Sequence, residues 1–307
     1  MALRIQNIDL ISEKKWAFWL FTKTRFTMKI KSFLIAIIGG AIPLLAQVST
    51  YNDGIVPSAN HADHPAPKYA YVREADLIWA KRIWRVVDFR EKLNQYLLFP
   101  LTENNNRINL ITVLQHGIHN GDLVPFDPFQ GDDFKVKMSA EEALLIGSGS
   151  DTIPLYDANP PYDYRGDTII PRPFNGFTVK KLRIKEDWFF DSKRSVMEVR
   201  IVGICPVMTV EDPVSGEVRG ELPMYWIHYE QARDFLASYR IYNPYNYAQR
   251  ITYDDAFIKR IFSSLIYKED NSMDRRIAEY TTGMDALLEA DHIKNELFTF
   301  EHDLWEQ

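Results

Sequence analysis

The sequence predicts an α+β fold, on three observations. Apolar residues alternate with period two in the C-terminal half, strong turn signals separate those runs, and segments with helical spacing and capping residues surround them. The expected architecture is an antiparallel β-meander packed with helices in the C-terminal half, beside a smaller mixed helix and strand unit in the N-terminal half. The expected division is an export signal over 1–46, a flexible linker over 47–70, an N-terminal unit over 71–150, a Pro/Gly-rich connection over 151–176 and a C-terminal domain over 177–307. With 307 residues, 46% hydrophobic and 25% charged, the chain can build a sizeable core, which excludes a wholly disordered or collagen-like protein.

The first segment reads as an address rather than as fold. Met28-Lys29-Ile30-Lys31 is a short basic stretch, and Phe33 to Ala46 supplies 14 almost wholly apolar residues. That run is shorter than the ~20 residues a membrane-spanning helix needs. Leu44-Leu45-Ala46-Gln47 puts a small residue before the expected cut. Residues 1–27 fit no part of such a signal, so the reading places the translation start at Met28. Removing residues 1–46 leaves 29 basic and 40 acidic residues, a net charge of −11 against −6 for the whole chain. An acidic protein of this kind is a poor nucleic-acid binder, because phosphates need a basic surface. No cysteine follows the apolar run, so no lipid anchor of its own is expected.

Residues 47–70, rich in Asn, Ser, Pro, Ala and His, read as linker. Val72, Ala75, Trp79 and Ile83 then recur at helical spacing and predict a helix. Val86 to Phe89 and Tyr96 to Phe99 are ambiguous between strand and helix. Ile108 to Ile118 predicts a helix ending near Gly121, and Ser139-Ala140-Glu141-Glu142 is a capping-box pattern opening a short helix through Ile146. Seven prolines and glycines between Pro154 and Gly176 signal a domain boundary or a long functional loop.

Beyond that point the period changes to two. Met197, Val199 and Ile201 alternate with Glu198 and Arg200 after a turn at Asp191-Ser192-Lys193-Arg194. Asp212-Pro213-Val214-Ser215-Gly216 is a second turn, after which Met224, Trp226 and His228 alternate with Tyr225, Ile227 and Tyr229. A three-stranded antiparallel meander from Phe177 to Tyr229 follows, and it needs a cover on its apolar face. Helices are predicted over Tyr229 to Tyr239, from Thr252 with Phe257, Ile261 and Leu265 on one stripe, and over Ile277 to Glu306 with a break near Gly283. Ile293, Leu297, Phe300 and Leu304 keep helical spacing in the last.

The residues supply no active-site signature. His61 and His64 lie on a Pro-rich stretch, and His116 with His119 lacks a neighbouring carboxylate, so no metal site is expected. Glu301-His302-Asp303 places its groups on adjacent helical positions, which do not face each other. Gly147-Ser148-Gly149-Ser150 resembles a phosphate loop without its lysine. Cys205, the single cysteine, excludes an internal disulfide and sits among apolar neighbours, which points to burial. No catalytic, cofactor-binding or metal residues are therefore assigned. The unusual feature is the aromatic load, 7 Trp, 16 Tyr and 18 Phe. Tyr239, Tyr242, Tyr245 and Tyr247 crowd one stretch interleaved with Asn and Pro, a composition suited to protein interfaces or to sugar binding. Tyr242 and Tyr245, with Leu297, Phe300 and Leu304 of the last helix, are the candidate interface residues.

Longer segments carry a family resemblance. Ile184-Lys185-Glu186-Asp187-Trp188-Phe189-Phe190-Asp191, Arg194-Ser195-Val196-Met197-Glu198-Val199-Arg200-Ile201 and Glu301-His302-Asp303-Leu304-Trp305 resemble the GldN/PorN gliding-motility family. So do Arg73-Glu74-Ala75-Asp76, Trp79, Lys81-Arg82, Trp84-Arg85-Val86 and Asp88-Phe89-Arg90-Glu91-Lys92. The signal ending in Ala46-Gln47 is similar to export signals of Bacteroidetes. The resemblance spans roughly residues 70–307. It implies a periplasmic, non-enzymatic subunit of the type IX secretion system, held at the inner face of the outer membrane. Its implied partners are a GldK/PorK-like lipoprotein, further copies of itself in a ring, and the periplasmic part of a GldM/PorM-like motor subunit. No cofactor is implied. The opposing class is a periplasmic carbohydrate-binding or hydrolytic protein, which would require a pocket joining aromatics to paired carboxylates. The export reading predicts a mature chain beginning near Gln47; N-terminal sequencing of protein from the native cell checks it, and a chain retaining Phe33 to Ala46 would refute it.

Overall fold

A computed structural model describes residues 65–103, 107–156, 164–172, 174–212, 217–243, 246 and 249–304. The export signal, most of the expected linker and Tyr245 lie outside the described residues. The architecture is α+β, as the sequence predicts. Its centre is a seven-stranded antiparallel sheet whose order runs β2, β8, β6, β5, β1, β9, with β7 also paired to β6. The strands are β1 (Leu77–Asp88), β2 (Pro125–Phe126), β5 (Val179–Asp191), β6 (Val196–Glu211), β7 (Val218–Pro223), β8 (Trp226–His228) and β9 (Leu265–Glu269). A separate two-stranded hairpin joins β3 (Gly149–Tyr156) to β4 (Tyr164–Arg172). The helices are α1 (Gln95–Leu98), α2 (Leu110–Asn120), α3 (Ala140–Leu145), α4 (Tyr229–Ala237), α5 (Tyr253–Ile258), α6 (Ile277–Tyr280) and α7 (Met284–Asp303).

Local chemistry explains the elements that the sequence located. Asn109 accepts a bond from the Thr112 amide at the start of α2, and Gly121 closes that helix at φ 83°, where a Cβ would be strained. The Ser139–Glu142 capping box opens α3, and Thr252–Asp255 forms a second one at α5. Gly283 separates α6 from α7. The β5–β6 hairpin turns at Asp191, whose carboxylate accepts from the Lys193 and Arg194 amides. β5 and β6 are the first two strands of the expected meander; its third, expected over Met224 to Tyr229, is the short β8, and β7 is an additional strand on the same edge of β6.

Two expectations are corrected. The segment with helical spacing from Val72 to Ile83 is a 3₁₀ turn at Glu74–Asp76 followed by β1, which pairs with β5 on one side and β9 on the other. β1 is rich in β-branched and aromatic residues that favour strands. Its alternation is hidden because both faces are covered: Ile83 and Val87 pack on one, Trp84 on the other. Likewise the stripe from Phe257 to Leu265 is not one helix. α5 stops at Ile258, Arg260 turns the chain with φ 54°, and Leu265 opens edge strand β9. The stretch expected to be a Pro/Gly-rich connection holds the β3–β4 hairpin. Residues of the expected N-terminal and C-terminal units share one sheet and one large core, in which Val87, Leu110 and Leu114 meet Leu182, Ile204 and Tyr253.

The two sheet faces are covered differently. On the first, α2, α4 and α5 cover one end, while α7 covers the other with Ala290, Ile293 and Leu297 against Ile83 and Ile266. On the second, Trp84 and Cys205 lie under Phe126, Trp226 and Phe134. Phe134 approaches the sheet so closely that a Cβ on Gly203 would lie 2.4 Å from its ring.

Buried charge pins the middle of the sheet. Glu186 of β5 is fully buried; its Oε2 accepts from Arg85 Nε at 3.0 Å, Trp188 Nε1 at 3.1 Å and Arg260 Nη2 at 3.2 Å. Arg260 Nη1 also lies 2.9 Å from Oε1, close enough for an ion pair although hydrogen-bond alignment is lacking. Burial pulls the Arg85 guanidinium below its usual range, with Glu186 opposing. On the other face Lys185, 2% exposed, donates to the Asp132 carbonyl at 2.7 Å and pairs with its carboxylate at 3.2 Å. Glu186→Ala would leave Arg85 buried without its partner, so denaturant unfolding should show a loss of about 3–5 kcal/mol. Lys180→Ala, which removes the surface pair with Glu211, should cost under about 1 kcal/mol.

Candidate interaction surfaces

The hairpin is the first feature that a folded body does not require. β3 and β4 pair antiparallel from Gly149 opposite Arg172 to Tyr156 opposite Tyr164, and neither joins the seven-stranded sheet. Leu155, Tyr156, Tyr164 and Ile169 are 51%, 58%, 57% and 68% exposed. The two tyrosine rings meet edge to face at 6.1 Å, and the Tyr164 hydroxyl donates to Asp167 at 2.6 Å, which raises its pKa. An isolated two-stranded hairpin is marginal in water, and exposed apolar clusters mark contact surfaces.

A second surface is an apolar groove of about 710 Å³ beside α1. Its walls include Leu93, Tyr96, Phe99, Ile241, Ile251 and Ile261, with Tyr242 at its edge. Arg107 stacks on the Tyr242 ring at 3.8 Å. Tyr96 donates to the Ile261 carbonyl, and burial pushes its hydroxyl pKa up. Among the described residues no carboxylate lines this groove, so it does not join aromatics to paired acids.

A third surface begins within the expected linker. Tyr69 lies under the guanidinium of Arg233 at 3.8 Å and near that of Arg200 at 4.9 Å. Arg200 donates to the Ala70 carbonyl, and the Ala66 amide donates to Asp234. Arg233 is itself held by buried Asp254, which also accepts from Tyr229 at 2.9 Å. The chain around residues 66–70 is thus strapped to the body by arginines that α4 and β6 present.

The candidate interface residues separate. Tyr242 is half-buried at the groove, while Tyr245 lies outside the described residues. Leu297 is 3% exposed and packs inward beneath α7. Phe300 is half-buried, its ring 4.5 Å from that of Trp79, and Leu304 is half-buried at the helix end. The outward face of α7 instead exposes Met284, Leu288 and Phe298. Sequence reasoning took the inward stripe because helical spacing marks an apolar face without saying what covers it. It missed the hairpin because prolines and glycines obscured the strands, yet Ile153, Leu155 and Ile169 at odd spacing were a usable signal.

His116 and His119 are exposed, and among the described residues no three His, Cys, Asp or Glu side chains gather as a metal site. His302 and Asp303 approach only to 4.0 Å, both exposed. Among the described residues no helix is long and apolar enough to cross a membrane.

A protein-family model described as gliding motility associated protein GldN matches residues 72–306. The chain belongs to the GldN family. Membership makes it a component of gliding motility and type IX secretion. No curated protein matches the chain. In this GldN-family protein the resembling segments around Trp84 and Glu186 are paired strands: Arg82 is opposite Asp187, Trp84 opposite Lys185, and Arg85 binds Glu186. Arg82 and Asp187 form a two-bond ion pair at 2.6 and 2.8 Å. The segments therefore encode strand pairing.

Cys205 is fully buried, and burial pushes its thiol up to about 12. Only the thiolate reacts, so a thiol reagent at pH 8 should label native protein negligibly and denatured protein with one equivalent. Rapid native labelling would contradict this burial.

Proposed function

We propose that this protein is a non-catalytic structural subunit of the type IX secretion and gliding machinery, which assembles with a GldK/PorK-like outer-membrane lipoprotein into a periplasmic ring. The observation that carries the reading is the family match over residues 72–306. The exposed apolar hairpin and groove support it, since an assembling subunit must present surface that its own core leaves uncovered. Each copy would contact identical neighbours through two different patches, so that rotation closes the ring. The net charge of −11 expected after export disfavours direct binding to anionic lipid. The lipoprotein therefore supplies the attachment, and a basic face on it would complement an acidic subunit. The periplasmic part of a GldM/PorM-like subunit is the further partner through which the motor would act on the ring.

Cell fractionation tests this proposal. Deleting the lipoprotein should move the protein from the outer-membrane fraction to the soluble periplasmic fraction, with loss of type IX cargo secretion. Outer-membrane fractionation that persists without the lipoprotein would refute attachment through it. Normal cargo secretion in cells lacking this protein would refute the role in secretion.

A further inference from the structure

We infer that the β3–β4 hairpin of one copy seats in the apolar groove beside Tyr242 of a neighbouring copy, forming the head-to-tail contact of the assembly. This rests on the self-assembly proposed above and names the two patches. The hairpin projects Leu155, Tyr156, Tyr164 and Ile169 into solvent and has no strand of the main sheet beside it. These four described side chains lack the apolar cover that a two-stranded hairpin needs. The groove offers aliphatic and aromatic walls, with Leu93 and Phe99 53% and 44% exposed at its rim.

Charge selects the pairing. Among the hairpin's described side chains the one charge is Asp167, exposed beside the Tyr164 hydroxyl. Among the described residues Lys92 is the one charged side chain lining the groove, and Arg107 stacks on the ring of Tyr242. Two hairpins brought together would juxtapose like charges, as would two grooves. Hairpin to groove brings apolar to apolar and acid to base, so the contact is heterologous and each copy donates one hairpin and receives one.

Cysteine crosslinking tests this, because the single native cysteine is fully buried and leaves introduced thiols as the reporters. Full-length chains carrying Tyr156→Cys and Leu93→Cys, both at exposed positions, are co-expressed in the native cell and oxidised. A mixed dimer containing one chain of each kind is the expected product, absent when either chain is expressed alone. Ile169→Asp in the Tyr156→Cys chain should abolish that band while the chain still folds, as judged by its denaturant midpoint. Crosslinks confined to Tyr156→Cys chains would show hairpin meeting hairpin and overturn the inference. Attachment of the Tyr156→Cys chain to a different protein would overturn it as well. Native-size assemblies with no mixed crosslink would overturn the hairpin-to-groove contact while leaving self-assembly standing. Absence of any oligomer of the unaltered protein in native membranes would refute self-assembly itself, and this inference with it.

Discussion

Two neighbouring residues of opposite charge on the central strand set the rest of the structure. Lys185 and Glu186 occupy opposite faces of β5, and each is buried. Glu186 gathers Arg85 from β1 and Arg260 from the turn after α5, while Lys185 gathers Asp132 from the loop that carries Phe134. Buried charges are tolerable only when paired, so a slip of β1 by one residue would turn Arg85 away from Glu186 and place an apolar neighbour there. The register of the sheet is therefore fixed electrostatically as well as by packing. The same pairs tie down the segments that cover each face, because Arg260 and Asp132 belong to loops rather than to strands.

That arrangement explains what the family segments preserve here. The two resembling stretches, distant in the chain, lie side by side as β1 and β5, and their charged residues answer one another across the ladder. Trp84 extends the pattern, with its ring 5.7 Å from the Lys185 ammonium and its indole nitrogen donating to Asp132. The motif pairs two distant strands and matches their charges.

The exposed apolar surfaces are carried by elements outside that framework. The β3–β4 hairpin pairs only with itself, and the groove is assembled from residues 92–99 around α1 and from the chain between Ile241 and Ile261. Tyr242 was legible as a contact candidate because a dense run of tyrosines among Asn and Pro suits a surface loop. Leu297 was not, because the same 3.6-residue spacing describes a helix facing its own core or a partner. Here β1 and β9 supply Ile83 and Ile266 as cover, which turns Leu297 inward. Tyr69 escaped notice for a related reason. Its holding groups, Arg200 and Arg233, lie far along the chain, and nothing local distinguishes a strapped segment from a free one.

The sequence by itself determined the α+β class, the family, the capping box at Ser139, the helix start at Thr252, the helix stop at Gly121, the break at Gly283 and the β5–β6 turn. Each of the local features is written in a handful of adjacent residues, since caps and turns satisfy backbone groups within a few positions. Only the tertiary structure decided that the Val72 to Ile83 region enters a strand, that Leu265 opens another, and that the two pair with each other, the second forming the edge of the sheet. Those outcomes depend on partners a hundred residues or more away, as in the pairing of Arg85 with Glu186 across a separation of 101. Burial on both faces of β1 erased the alternation by which a strand is recognised. Periodicity reports the environment of one face; strand pairing is settled by what arrives on the other side of the ladder.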